Sequence, residues 1–175
     1  MNIKAITISI LTLSFLSCAG TVPSTFWNDK DITAFAKHVE GSRHTVLIAT
    51  RDSKFKRELM NRLIDSLNRD SISVDAIGIG SLKDTTKLTT YSAVVFINTV
   101  VAWEFENQVK NFISKHKEYS GFIVMSTTGN KTFKLTGSKV PAGVDAITSA
   151  SLSEKIGEDV SEILVGIKKR IAAGN

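Results

Sequence analysis

The stretch Thr45-Val46-Leu47-Ile48-Ala49-Thr50-Arg51-Asp52-Ser53-Lys54-Phe55, with its continuation to Arg69, decides the fold. Thr45 to Ala49 is a continuous apolar run bounded by polar residues, which reads as a buried strand. From Lys54 to Arg69 the period changes. Phe55, Leu59, Leu63 and Leu67 recur at spacing four, with Met60 and Ile64 beside them, so one face of an amphipathic helix is apolar. A buried strand, a short polar loop and a helix make the repeating unit of a parallel α/β sheet.

The same alternation continues toward the C-terminus. Ile72 to Ile79 reads as a second strand, Ala93 to Asn98 as a third, Phe122 to Ser126 as a fourth and Val144 to Thr148 as a fifth. Phe105 to His116 carries Val109, Phe112 and Ile113 on one helical face. Ser151 with Glu154 fits a capping box, and Ile156, Val160, Ile163, Leu164, Ile167 and Ile171 define a long terminal helix behind it. On the N-terminal side, Asp31 to Glu40 places Ile32, Phe35, Ala36 and Val39 together, which predicts a short helix stopped at Gly41. Gly129 to Gly143 is short for a helical crossover and reads as an irregular loop.

Strands alternating with helices imply parallel pairing through right-handed crossovers. Strands that are apolar throughout imply a sheet covered on both faces. The expected architecture is a doubly wound three-layer α/β/α sandwich with five parallel strands. Its ligand crevice lies past the carboxyl ends of the strands, where the strand order reverses.

The N-terminus carries an address. Lys4 is followed by an apolar and hydroxyl-bearing run from Ala5 to Leu16, then by Ser17, Cys18, Ala19 and Gly20. A positive start, roughly a dozen apolar residues and a small-residue end make a secretory signal. The run is shorter than the about 20 apolar residues of a membrane-spanning helix. Cys18 stands at the cleavage point and is the only cysteine of the chain. That resembles a bacterial lipoprotein signal in relaxed form, which implies cleavage before Cys18 and lipid on its sulfur. Ordinary cleavage after Ala19 is the competing reading. The expected organisation is a signal over 1–17, a lipidated N-terminus and linker over 18–30, and one domain over 31–175. No further transmembrane segment is evident. A single cysteine excludes an intramolecular disulfide and a cysteine-based metal site.

Composition narrows the partners. Loss of Lys4 with the signal lowers the formal net charge from +5 to +4. The charges are interspersed, apart from Lys54, Lys56 and Arg57 and from Lys168, Lys169 and Arg170, which read as solvated helix ends. Nucleic acid is not an expected partner, because export and the lack of interleaved aromatic and basic residues both argue against it. His38, His44 and His116 lack metal-ligand spacing. Gly78-Ile79-Gly80 lacks the third glycine of a dinucleotide fingerprint.

Three loops remain as the candidate site: Thr50 to Phe55, Thr99 to Glu104, and Thr127 to Lys131. The first opens a helix, whose free N–H groups and dipole favour an anion such as phosphate. Thr50 and Ser53 offer hydroxyls, and Lys54 offers charge. Alternatively, Ser53 or Asp52 simply caps the helix.

The segment Thr45 to Phe55 resembles the start of a flavodoxin, nearest to the flavodoxin-like protoporphyrinogen dehydrogenase group, whose loop reads Ser-Thr-Arg-Asp-Gly-Gln-Thr. Tyr91 to Thr99 resembles that family's third strand and flavin loop, and Gly121 to Gly129 its fourth. The resemblance implies strand order 2-1-3-4-5 and an FMN. Its phosphate would lie on Ala49, Thr50, Arg51, Ser53 and Lys54. Its ring would be flanked by Thr99, Val100 and Trp103 and by Thr127, Thr128 and Gly129, with Trp103 stacked on it. Two positions depart from the family: Ser53 replaces Gly, and Phe55 replaces the final Thr. If the Gly position needs positive φ, Ser there costs about 1–2 kcal/mol. A lost hydroxyl bond to phosphate costs roughly 1.5–3 kcal/mol. Together these would weaken binding by about 10²–10³-fold. Two functions are therefore expected in competition. One is an FMN-binding electron-transfer lipoprotein of the cell envelope, with a redox partner. The other is a degenerate flavodoxin-like module that binds a protein or a small anion without flavin.

Overall fold

The computed structural model of the chain describes residues 30–83, 87–100 and 104–174. The expected signal peptide, Cys18, the expected linker before Lys30, and Trp103 therefore lie outside the described residues.

Six strands form one sheet: β1 (Phe35–Lys37), β2 (Thr45–Thr50), β3 (Ser73–Gly78), β4 (Ala93–Thr99), β5 (Phe122–Thr128) and β6 (Asp145–Ala150). Among the described residues, three α-helices accompany them: α1 (Lys54–Arg69), α2 (Asn107–Lys115) and α3 (Ile156–Ala172). The sheet order is β1-β3-β2-β4-β5-β6. Strands β2 to β6 are parallel and keep the expected order, and β1 adds an antiparallel strand beside β3. The order reverses between β2 and β4, which fixes the switch point.

The predicted helix over 31–40 is instead the edge strand β1. Its apolar residues do not gather on a buried face: Phe35 is 42% exposed. A ten-residue helix is marginal without such a face, whereas the open edge of β3 offers unpaired backbone groups. Side chains secure the exchange, with Val39 N–H on Ser73 Oγ at 3.0 Å and His38 on Asp75 at 3.0 Å. The sheet consequently has six strands rather than five.

Helix α1 has both ends defined. Ser53 caps its start, accepting the Lys56 N–H at 3.3 Å. Ser71 ends it in the left-handed region at φ 59, with Ile72 N–H returning to Leu67 O and Ser71 N–H to Asn68 O. The predicted Ser151–Glu154 capping box does not form. Ser151 N–H is taken by Thr128 O in the β5–β6 neighbourhood, and α3 begins only after a 3-10 turn over Ser153–Lys155, with no side-chain cap.

Alternate residues of the strands face two cores. Val46, Ile48, Val74, Val95, Ile97, Ile123 and Met125 pack under α1 and α3. Leu47, Val94, Phe96, Phe122 and Val124 pack under α2 and two irregular segments, through Ile79 and Leu88 before β4 and Leu135 after β5. The segment from Gly129 to Gly143 is irregular, with one 3-10 turn over Gly137–Lys139, and Leu135 N–H hangs from Thr148 Oγ1 at 3.1 Å. Among the described residues, no helix is long and apolar enough to cross a membrane.

Candidate functional site

The carboxyl edge of β2, β4 and β5 brings together those predicted residues that are described. Thr50 ends β2, and Thr99 and Thr127 are register partners across β4 and β5. All three lie on the α1/α3 side, in line with Ile48, Ile97 and Met125. Val100 N–H donates to Thr127 O, which ties the second loop to the third. Thr128 Oγ1 accepts the Asn130 N–H at 3.1 Å. Gly129 is exposed with open space around it, so its backbone could approach a ligand.

The first loop is committed largely to its own chain. Thr50 is fully buried, and its hydroxyl donates to Ile97 O at 2.9 Å rather than toward the crevice. Asp52 pairs with Arg57 at 2.7 Å. Arg51 lies between two carboxylates: Nε donates to Glu106 Oε1 at 2.7 Å, a second arm also reaches Glu106, and Nη1 donates to Asp31 Oδ1 at 3.2 Å. Ser53 has φ −147, so the backbone here is extended and the strain foreseen for a side chain at this position is absent. Its hydroxyl oxygen is the α1 cap. Phe55 packs against the α1/α3 core, which accounts for its replacing a hydroxyl residue. What the loop still presents is the exposed Lys54 and the first-turn N–H groups of Lys54 and Phe55, which have no intrahelical acceptor.

Three polar residues complete the site that sequence reasoning did not single out for it. Lys56 is 2% exposed, and its Nζ donates to Thr99 Oγ1 at 2.7 Å. Its neighbours Lys54 and Arg57 suggest a solvated helix end, but Lys56 is buried. The signal was its place in the apolar stripe, three and four residues before Leu59 and Met60. Asn98 is buried and joins two loops: Nδ2 donates to Ser126 Oγ at 2.9 Å, and Oδ1 accepts the Glu106 N–H at 3.1 Å. Glu106 then holds Arg51. A polar chain thus runs from Ser126 through Asn98, Glu106 and Arg51 to Asp31, across the switch point.

Electrostatics at the rim follow from the neighbours. Lys110 bonds the exposed Glu104 and holds its carboxyl below the ordinary range. At the start of α3, burial pushes the Asp159 carboxyl up, and a hydrogen bond to Ser149 opposes the shift only in part. Among the described residues, no group of three or more His, Cys, Asp or Glu could hold a metal ion. The donors present, Lys54 and the open first-turn N–H groups, fit a phosphate. The Asp31 carboxylate beside them opposes one.

No family model and no curated protein matches the chain. Solved structures do. Oxidised flavodoxin 1 from Bacillus cereus is 10% identical, with 72% of this chain covering 97% of that one at a TM-score of 0.50. Oxidised flavodoxin 2 from Bacillus cereus is 16% identical, with 72% covering 99% at 0.48. The Flv1 flavodiiron core from Synechocystis sp. PCC6803 is 12% identical, with 72% of this chain covering 36% of that one at 0.46. The chain spans about a third of the length of that flavodiiron protein. At this identity the likeness to flavodoxin 1 is one of architecture: together with the order of the five parallel strands, it gives this chain a flavodoxin-like α/β fold.

Proposed function

We propose that this chain is a lipid-anchored, flavodoxin-like protein of the cell envelope that holds FMN at the carboxyl edge of its sheet and passes electrons to or from an envelope partner. One observation carries the reading. The Thr50–Phe55 loop, the open start of α1 and the paired Thr99 and Thr127 converge at the switch point, where such sheets take their ligands. Lys54 and the first-turn N–H groups hold the phosphate, and Lys56 supports Thr99 from below. Val100 and Trp103 on one loop, with Thr128 and Gly129 on the other, flank the ring. FMN, when bound, supplies the reversible electron uptake for which the chain has no thiol of its own beyond Cys18. Within the flavodoxin-like families, the Thr50-Arg51-Asp52 loop favours the protoporphyrinogen dehydrogenase group. The lipid on Cys18 confines the domain to a membrane surface, as the signal-like run before it supports.

The test is a flavin titration of the purified chain. Flavin absorption that co-purifies, or saturable binding of added FMN, is expected, and Trp103→Ala should weaken it. Absence of binding at high micromolar FMN would remove the flavin. Cys18→Ala should release the protein from membranes, and continued retention would remove the lipid anchor. A second reading keeps the fold and the anchor but no flavin, with a protein or small anion as ligand. It is favoured by the commitment of Arg51 and the Asp52 N–H to the chain itself.

A further inference from the structure

The segment Lys30–Asp31 lies across the first loop. Asp31 pairs with Arg51 as an antiparallel bridge, and the Asp52 N–H donates to Lys30 O. The Asp31 side chain then reaches past β2 to the end of β3. There Oδ1 accepts the Gly80 N–H at 3.1 Å and the Arg51 guanidinium at 3.2 Å. Gly78 and Gly80 form the walls of this seat. A Cβ on either would collide with the Asp31 side chain. The Gly-x-Gly pair that fits no nucleotide fingerprint thus has a local reason: it makes room for a carboxylate. The Gly80 N–H and the Arg51 guanidinium converge on this carboxylate as an oxyanion seat, and the Asp52 N–H is held by the backbone carbonyl of the preceding residue, Lys30.

We propose that Asp31 is a built-in anion, and that Lys30–Asp31 is a strap which an incoming phosphate-bearing ligand must displace from the first loop. The inference rests on the reading that this loop takes an anion, and it names what regulates that site. Three consequences of the seated strap act against a ligand. The Asp52 N–H is engaged, one arm of Arg51 is turned toward Asp31, and a like charge stands beside the phosphate position. Displacing the strap removes all three together. Glu106 continues to hold the other face of Arg51, so the guanidinium stays at the loop when Asp31 leaves.

The experiment uses the full chain and two variants, Asp31→Ala and Asp31→Asn. The Asn form removes the charge while keeping the shape, so it remains informative if the Ala form folds poorly. Inorganic phosphate is titrated while the amide resonances of Asp52 and Gly80 are followed, and FMN is titrated in parallel by its fluorescence. Both variants are expected to bind phosphate about tenfold more tightly than the parent chain, the scale of one charge-assisted contact. The largest shifts should fall at Asp52 and Gly80. Unchanged or weaker phosphate binding in the variants overturns the strap. So does a lack of phosphate binding in every form, because a vacated seat that takes no oxyanion is no anion seat. The FMN arm separates the two readings. Parent and variants that bind FMN equally would sink the strap and keep the flavin. Variants that bind phosphate while no form binds FMN would keep the strap and sink the flavin.

Discussion

The two faces of the sheet are covered by different means. On one face, two long helices, α1 and α3, lie over an aliphatic layer of Val, Ile, Leu and Met. On the other, one nine-residue helix shares the cover with two irregular segments, and phenylalanines join the aliphatic residues of the core: Phe96 of the sheet meets Phe122 at 5.7 Å and Phe112 of α2 at 6.0 Å. The helices supply apolar residues at regular spacing and close the first face by repetition. The second face is closed by apolar residues from irregular chain as well as from α2, without a common period. The contrast reaches the helix ends too. Helix α1 is capped by its own Ser53, whereas the start of α2 is held from the sheet by Asn98.

Truncation at the two centres gives the largest test of this difference. Phe96→Ala should cost about 3–5 kcal/mol and Leu63→Ala about 2–5 kcal/mol, both read from denaturant unfolding. A loss at Phe96 below that at Leu63 would show that the irregular cover collapses into the vacated space, and the contrast would fail. The capping contrast is next. Asn98→Ala should cost about 1–3 kcal/mol, because it strands the buried Ser126 hydroxyl and the Glu106 N–H. Ser53→Ala should cost about 1 kcal/mol, since water can replace a lost cap at a partly exposed position. Equal losses would mean that α2 does not depend on the sheet for its start.

The smallest effect concerns Asp159, a buried acid of the helical face. Burial raises the Asp159 carboxyl above its ordinary 3.8. The folded chain therefore binds this proton more tightly than the unfolded chain. The contribution of this group to stability is therefore fully present below the ordinary carboxylate value and is lost as pH rises through the raised folded value. Asp159→Asn should remove that decline. Its melting temperature should exceed the parent's at neutral pH, with the gap closing in acid. A gap independent of pH would assign the effect to packing instead.

The helical face was the part legible in the sequence. The spacing of Leu59, Leu63 and Leu67 and of Ile156, Val160, Ile163 and Ile167 carries its own period, and both helices are where it points. The other cover was not legible, because Ile79, Leu88 and Leu135 are isolated apolar residues in irregular chain and no period announces them. Strand β1 was misread for a related reason. A three-residue edge strand is too short to show alternation, and Ile32, Phe35, Ala36 and Val39 happen to match a helical spacing. At the candidate site the loops were legible from the ends of the strands. The groups that hold it together, Asp31, Glu106 and Asn98, act on partners 20, 55 and 8 residues away, and no local pattern encodes such pairings.

The edge strand β1 has a mechanical consequence. Phe35 pairs with Ala76 and Lys37 with Val74, so the chain comes into β1 from the carboxyl edge of the sheet. Helix α3 leaves at the opposite edge, where Arg170 pairs with Asp145 at 2.9 Å. A pull between the two ends of the described chain is therefore directed along the strands. It loads the β1–β3 hydrogen bonds together in shear instead of opening them one at a time. The first contacts under tension are those of Lys30 and Asp31, which makes the first loop the point where force on the N-terminal side is felt.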